Sequence, residues 1–275
     1  MADQVWSKET FAEGYSSGRI IGLLGNGDPE TEKRLLEEKK LGGSLSEFFL
    51  RGVKPLLSPN FHVLELGPGR GSWTRALVSV ITRGEIHTID LQNIRPWVKD
   101  IIANFPDRFF IHQVATRESK YDFLQDNYFD AFFTFGVFCH MNLDEIEDFL
   151  QQLRGKLRKE SICIAQYSDW VKAISYCLEQ DGYQYNLEAY NMLKRDYPFE
   201  VKMIHCKTFF QKLITLFEKY IQGKYPVSKV SSDRCFWVKN DQKTMNKILV
   251  NAGYEVLQID MGYFKRDSVA LFKPI

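Results

Sequence analysis

Three glycines at alternate positions, Gly67, Gly69 and Gly71, follow the apolar run Val63-Leu64-Glu65-Leu66 and precede Ser72-Trp73-Thr74. This reads as a buried strand delivered into a glycine loop that opens a helix. Such a loop lets a ligand approach bare backbone, because any side chain there would occupy the ligand's space. The spacing differs from the dinucleotide fingerprint G-x-G-x-x-G, whose third glycine seats the helix on the strand while the helix N-terminus faces a pyrophosphate. Here the third glycine comes one place early, and an acid, Glu65, sits inside the strand end. Further on, Glu85-Ile86-His87-Thr88-Ile89-Asp90-Leu91 reads as a second short strand that presents Asp90. A carboxylate at that offset can accept both hydroxyls of a ribose. The pair implies a site for a nucleotide-like cofactor.

Taken together, E-L-G-P-G-R-G and I-D-L resemble motif I and the following acidic motif of the class I S-adenosylmethionine-dependent methyltransferases. The resemblance spans roughly residues 61–170 and the end of the chain, and it identifies a superfamily without identifying a substrate. It implies S-adenosylmethionine as cofactor. Gly67, Gly69 and Gly71 would make room for its amino-acid end, and Asp90, with Leu91 beside it, would hold the ribose. Glu65 would lie within reach of the loop and the cofactor ammonium, directly or through water. Many relatives carry an acid just after the third strand for the adenine amino group, whereas this chain reads His112-Gln113-Val114-Ala115-Thr116-Arg117-Glu118. Backbone groups of Val114 and Ala115 would bracket the ring instead, with Gln113 or Glu118 as the polar contact.

After the fourth strand, Phe135-Gly136-Val137-Phe138-Cys139-His140-Met141 resembles the family segment that faces the methyl group and the acceptor. His140 is the candidate general base, since imidazole titrates close to neutral pH; its alternative is to cap or pack beside the next helix. Asp169, after the fifth strand, would sit at the rim of the same crevice and orient an acceptor hydroxyl or amine. No second carboxylate follows the fourth strand, so a bound divalent cation is not expected, because hard cations need several oxygen ligands. The five cysteines are scattered without a C-x-x-C pair, and His205-Cys206 stands alone as an adjacent pair of soft ligands. Free thiols are expected, with no disulfide frame and no metal.

These residues need a frame to hold them. Trp73 to Ile81 has the composition of a helix packed on a sheet; Arg95 to Phe105 reads as a helix and Arg108 to Val114 as a strand. Phe129 to Phe135 is apolar on both faces, as suits a central parallel strand covered by helices. Asn142 caps a helix whose stripe runs Leu143, Ile146, Leu150, Leu153, Leu157, and Ser161 to Tyr167 follows as a strand. Lys243 to Val250 reads as a helix ahead of two strands, Tyr254 to Asp260 and Ser268 to Phe272. Strands alternating with helices specify a doubly wound α/β sheet. The family's version is mostly parallel and seven-stranded, with an antiparallel last strand.

The expected organisation is a single methyltransferase domain over 1–275. Its core comprises 56–170 and 240–275, preceded by an N-terminal helical segment, 1–55, in which Asp28 to Lys40 forms a charged helix ended by Gly42-Gly43. Residues 171–239 form an aromatic-rich insertion with an amphipathic helix at Thr208 to Gln222, capped by Gly223. Its rings, including Tyr176, Tyr190, Phe209, Phe210, Phe217 and Tyr220, would roof the crevice as a lid, with help from Trp6 and Tyr15.

The chain is 44% hydrophobic and 26% charged with a net charge of +1, which argues against disorder and against a nucleic-acid partner. No run approaches a membrane span, and the start lacks a basic leader, so a cytoplasmic protein without a membrane partner is expected. Pairing of two copies is left open. The sequence reading is O-methylation of a hydroxyl or carboxyl of a small secondary metabolite. The alternatives are methylation of a protein or peptide, and a cofactor-binding scaffold without turnover.

Overall fold

The computed structural model describes residues 29–116, 119–177, 187, 190, 191, 194, 195, 198–206, 208–222 and 238–275. Seven strands form one sheet: β1 (His62–Leu66), β2 (Glu85–Asp90), β3 (Phe109–Gln113), β4 (Phe129–Thr134), β5 (Leu157–Ser168), β6 (Tyr254–Gln258) and β7 (Asp267–Pro274). Their order is β3-β2-β1-β4-β5-β7-β6. Neighbours from β3 to β5 pair in parallel, and β7 runs antiparallel to both β5 and β6. This is the doubly wound sheet with its terminal hairpin, as the alternation of elements required.

Residues alternate across the pleat, so each strand feeds two cores. Leu64 and Leu66 of β1 join Ile89, Phe132, Phe149 and Tyr167 on one face. Val63 points to the other face, with Trp73, Leu77, Ile86, Phe133 and Val269. Glu65 shares that second face and is opposite Thr88 and Phe133 in the register.

The helices are α1 (Pro29–Leu41), α2 (Leu45–Glu47), α3 (Ser72–Val78), α4 (Lys99–Asn104), α5 (Leu143–Arg154), α6 (Trp170–Cys177), α7 (Pro198–His205), α8 (Phe209–Tyr220) and α9 (Gln242–Asn251). Helix α2 runs on through a π-helical stretch, Phe48–Val53, and a 3-10 turn, Lys54–Leu56. Leu41, Leu45, Phe48, Phe49 and Val53 are buried against Trp73 and Leu77. Residues 41–53 therefore complete one face of the main core.

Two boundaries differ from the periodicity. The α5 stripe stops at Leu153, because Gly155 ends the helix and Leu157 opens β5 as a buried strand residue. Arg95 to Asn104 yields a helix only from Lys99, where the cap residue Val98 already has its side chain in the core.

In the insertion, α6 and α7 share a small cluster of Ala173, Ile174 and Val201, and the Tyr176 hydroxyl donates to the Lys39 carbonyl at 2.6 Å. Helix α8 starts with reciprocal bonds, Gln211 N–H to Thr208 Oγ1 at 3.2 Å and Thr208 N–H to Gln211 Oε1 at 3.1 Å. Trp6, Tyr15, Gly223 and several expected lid rings lie outside the described residues. Among the described residues no helix is long and apolar enough to cross a membrane.

Candidate functional site

Strand β1 has β2 on one side and β4 on the other, so chain direction of travel across the sheet reverses there. Open α/β sheets bind ligands outside the carboxyl ends of the strands at such a point. A crevice opens at that place, lined by Leu66, Gly67 and Gly69 after β1, Asp90, Leu91 and Gln92 after β2, and Val114 after β3. Phe135, Gly136, Val137 and Met141 close it after β4, with Tyr121 and Phe149 beyond.

The glycine loop is fixed by its own geometry. Gly67 has φ +68°, its N–H donates to Ile89 O at 2.8 Å, and a Cβ there would stand 2.2 Å from Val137 Cγ2. Gly69 has φ +54°, and a Cβ there would meet no atom within 4 Å. Its bare face looks into the open crevice, which makes it a cradle that a side chain would fill. Gly71 is the N-cap of α3; a Cβ on it would press on Val98, so it serves helix packing and lies outside the crevice lining.

Asp90 ends β2 with its carboxylate in the crevice. Oδ1 accepts from Gln92 N–H at 2.8 Å and Oδ2 from Gly69 N–H at 3.2 Å. Burial raises its pKa from the ordinary carboxylate value, and those backbone donors oppose the shift. One carboxylate thus fixes the loop and keeps lone pairs for a ligand, since an ionised carboxylate offers about four acceptor positions. The open face of Gly69, the Asp90 carboxylate and the apolar walls fit S-adenosylmethionine. Gly69 and Asp90 would take its amino-acid and ribose parts, and Leu91 and Val114 would flank the adenine.

Glu65 is placed differently. It is 2% exposed, faces α3, and accepts from Thr74 Oγ1 at 2.7 Å. Desolvation pushes its pKa up to about 8, with the Asp90 charge adding and the Thr74 bond opposing. It braces the loop from behind and is outside the crevice lining. Phe135 lines the crevice, and its ring packs inward on Trp73, 4.8 Å between centroids.

The adenine contacts expected after β3 divide. Val114 lines the wall, but its N–H is already bonded to Asp90 O at 3.0 Å. Ala115 is exposed and outside the lining, because the chain turns away there. Gln113 is also exposed, with its Nε2 on Leu91 O at 3.4 Å, and Glu118 lies outside the described residues. Tyr121 and Phe149, edge to face at 5.3 Å, supply the wall that sequence reading missed. Tyr121 stands in an aperiodic loop. Phe149 sits one position from the α5 stripe and gave no signal beyond a helical core residue.

His140 ends a 3-10 turn, Phe138–His140, between the crevice residues Val137 and Met141. It is half-buried, and its backbone N–H donates to Val137 O at 2.9 Å. Asp169 is 1% exposed and works inside the fold. Its Oδ1 accepts from the N–H groups of Val171 and Lys172 at the start of α6, and its Oδ2 from Ser268 Oγ at 2.8 Å and Gln242 Nε2 at 3.1 Å. The expected rim position is therefore corrected: Asp169 caps α6 and ties it to α9 and β7. Among the described residues no group of three or more His, Cys, Asp or Glu is placed to hold a metal ion.

A buried chain of polar groups supports the loop after β4. Gly136 N–H donates to Gln166 Oε1 at 2.8 Å, and Gln166 Nε2 donates to Asp267 Oδ2 at 2.7 Å. Arg266 donates to both Asp267 oxygens, Nε at 3.1 Å and Nη2 at 2.7 Å. The ion pair fixes which end of the Gln166 amide faces Gly136.

Among the described residues, none of those in 171–239 lines the crevice. Helix α8 turns its polar side inward, burying Thr215, and leaves Phe209, Phe210, Phe217 and Tyr220 exposed.

Residues 64–165 match a family model described as a methyltransferase domain. Among solved structures, the chain is similar to an SAM-dependent methyltransferase from Aquifex aeolicus, at 15% identity and TM-score 0.50, covering 90% of this chain and 99% of that one. It is also similar to magnesium protoporphyrin IX methyltransferase from Synechocystis PCC 6803 with bound SAH, at 11% identity and TM-score 0.51, covering 100% of both chains. At these identities the likeness is one of fold. No curated protein matches the chain.

Proposed function

We propose that this chain, whose residues 64–165 match a methyltransferase-domain model, is a class I S-adenosylmethionine-dependent methyltransferase that methylates a small, largely apolar molecule, most simply at oxygen. The observation that carries the reading is the crevice lining. It combines Asp90 and the bare backbone of Gly69 with the apolar side chains of Phe135, Val137 and Met141. The cofactor supplies an electrophilic methyl carbon on its sulfonium. The chain's own task is then to align an acceptor in line with the bond to sulfur and to exclude water.

The residues divide this work. Asp90 holds the donor end, and the loop Phe135 to Met141, pinned through Gly136 and Gln166, presents an apolar floor to the acceptor. His140, on the same loop, is the group nearest in sequence able to take a hydroxyl proton near neutral pH. A carboxylate acceptor needs no base.

The test is incubation with isotopically labelled cofactor and a metabolite extract, with mass detection of the labelled product. Label recovered in polypeptide alone would overturn the small-molecule reading. Asp90→Ala should weaken S-adenosylhomocysteine binding in a calorimetric titration about a hundredfold or more, as expected for losing two charge-assisted bonds at about 1.5–3 kcal/mol each. Retained affinity would refute the assignment of Asp90.

A further inference from the structure

Helix α8 is amphipathic, and it is mounted with its apolar side facing outward. Phe209 is 78% exposed, Phe210 71%, Phe217 53%, Tyr220 71% and Ile221 70%. The polar side is used within the protein. Thr215 is buried, with its hydroxyl on Gln211 O at 3.0 Å and beside Cys206 Sγ at 3.4 Å. Glu218 pairs with Lys202 of α7, and the Lys219 ammonium stands 3.9 Å over the Phe199 ring. Ordinary surface helices do the reverse, so this face is arranged to be covered.

We infer that α8 is the interface through which two copies of this chain pair. The spacing is that of a helix–helix seam. With Phe210 as an a position, Leu213 is d, Ile214 e, Phe217 the next a, and Tyr220 the next d. Thr215 is then f, the position opposite the seam, and it is the one residue of the helix that is buried in the protein. A heptad seam is complementary to another helix. An antiparallel two-fold centred on the level of Thr215 sets Phe210 of one copy against Tyr220 of the other, and Leu213 against Phe217, each an a position against a d position. One patch can thus meet itself, as a closed two-fold dimer requires.

The area suffices. Aromatic side chains carry about 150–250 Å² each, so the exposed fractions of the four α8 rings offer roughly 550 Å² per copy, and Leu213, Ile214 and Ile221 raise the face toward about 800 Å², the standard share of a specific interface. A lipid surface fits less well, because interfacial helices set Lys and Arg on a free polar face. Here that face is spent on α7, where Glu218 pairs with Lys202 and the Lys219 ammonium lies over the Phe199 ring.

Sedimentation of the full chain tests the inference. Interfaces of this size span micromolar to tighter affinities, so a dimer is expected at about 50 µM. The double variant Phe210→Glu/Phe217→Glu should sediment as a monomer while binding S-adenosylhomocysteine as the parent does. A parent chain that stays monomeric at that concentration overturns the inference, as does a dimer that survives both substitutions. So does a monomer that co-sediments with anionic phospholipid vesicles. Should the double variant fail to fold, Ile214→Cys and a short bismaleimide decide: cross-linked dimer in excess of the parent supports the seam, and its absence refutes it.

Discussion

Glu65→Gln offers the sharpest check on the electrostatics of the site. The carboxyl is 2% exposed, has Thr74 as its bonded neighbour, and titrates at about 8 against an ordinary value of 4.5. Between those two pH values the unfolded chain has released this proton and the folded chain has kept it. Folding stability therefore falls as pH rises through that window, by up to about 1.4 kcal/mol per unit. Allowing for the bend near the folded pKa, the parent should lose about 2 kcal/mol between pH 6 and pH 8 that the Gln variant does not lose. Glutamine keeps an oxygen for Thr74 and cannot ionise. For a chain of this size the gap in melting temperature between variant and parent should widen by roughly 4–8 °C over that range. Thermal denaturation of both proteins at half-unit steps of pH reads it directly. Parallel profiles would refute the claim that Glu65 is held neutral. Repeating the series with saturating S-adenosylhomocysteine tests its reach to the cofactor ammonium, because a nearby cation favours the charged form. A gap that shrinks supports that contact, and an unchanged gap makes Glu65 an internal brace.

The two crevice glycines should respond differently to one added methyl. Gly67→Ala forces a Cβ to 2.2 Å from Val137 and should lower the melting temperature by several degrees; Gly69→Ala meets only open space and should cost about 1–2 kcal/mol of backbone strain. Ligand binding inverts that order of interest: Gly69→Ala should lose the thermal stabilisation that S-adenosylhomocysteine gives the parent, and undiminished stabilisation would show that Gly69 does not face the cofactor. Gln166→Leu leaves the Gly136 N–H without its acceptor and should cost about 1–3 kcal/mol in chemical denaturation. In the same variant the titrated ligand affinity should fall, while Gln166→Glu, which keeps an acceptor but sets a second carboxylate against Asp267, should regain affinity as pH is lowered.

What could be read from the residues, and what could not, follows from the range of the interactions involved. The glycine loop and Asp90 were legible because their constraints are local: φ above zero at Gly67 and Gly69, and a carboxylate at the end of the next strand, leave signatures in residue type and spacing. The sheet was legible for the same reason, since burial on both faces makes β4 an apolar run and the terminal hairpin follows a capped helix. Tyr121 and Phe149 were not, because they reach the crevice from a loop and a helix whose approach to β3 is a tertiary fact. Asp169 illustrates the opposite error. An acid after β5 has one residue type for two jobs, rim ligand or helix cap, and only the positions of Ser268 and Gln242, 99 and 73 residues further along the chain, decide between them. Helix α8 makes the point most fully. Its periodicity correctly gave an amphipathic helix, yet periodicity fixes only that two faces differ, never which one turns inward. That choice was made by Lys202, Cys206 and Phe199 on or beside α7, which engage the polar side and leave the apolar side outward. Aromatic content alone therefore could not say that Phe209, Phe210, Phe217 and Tyr220 stand exposed once the helix is docked.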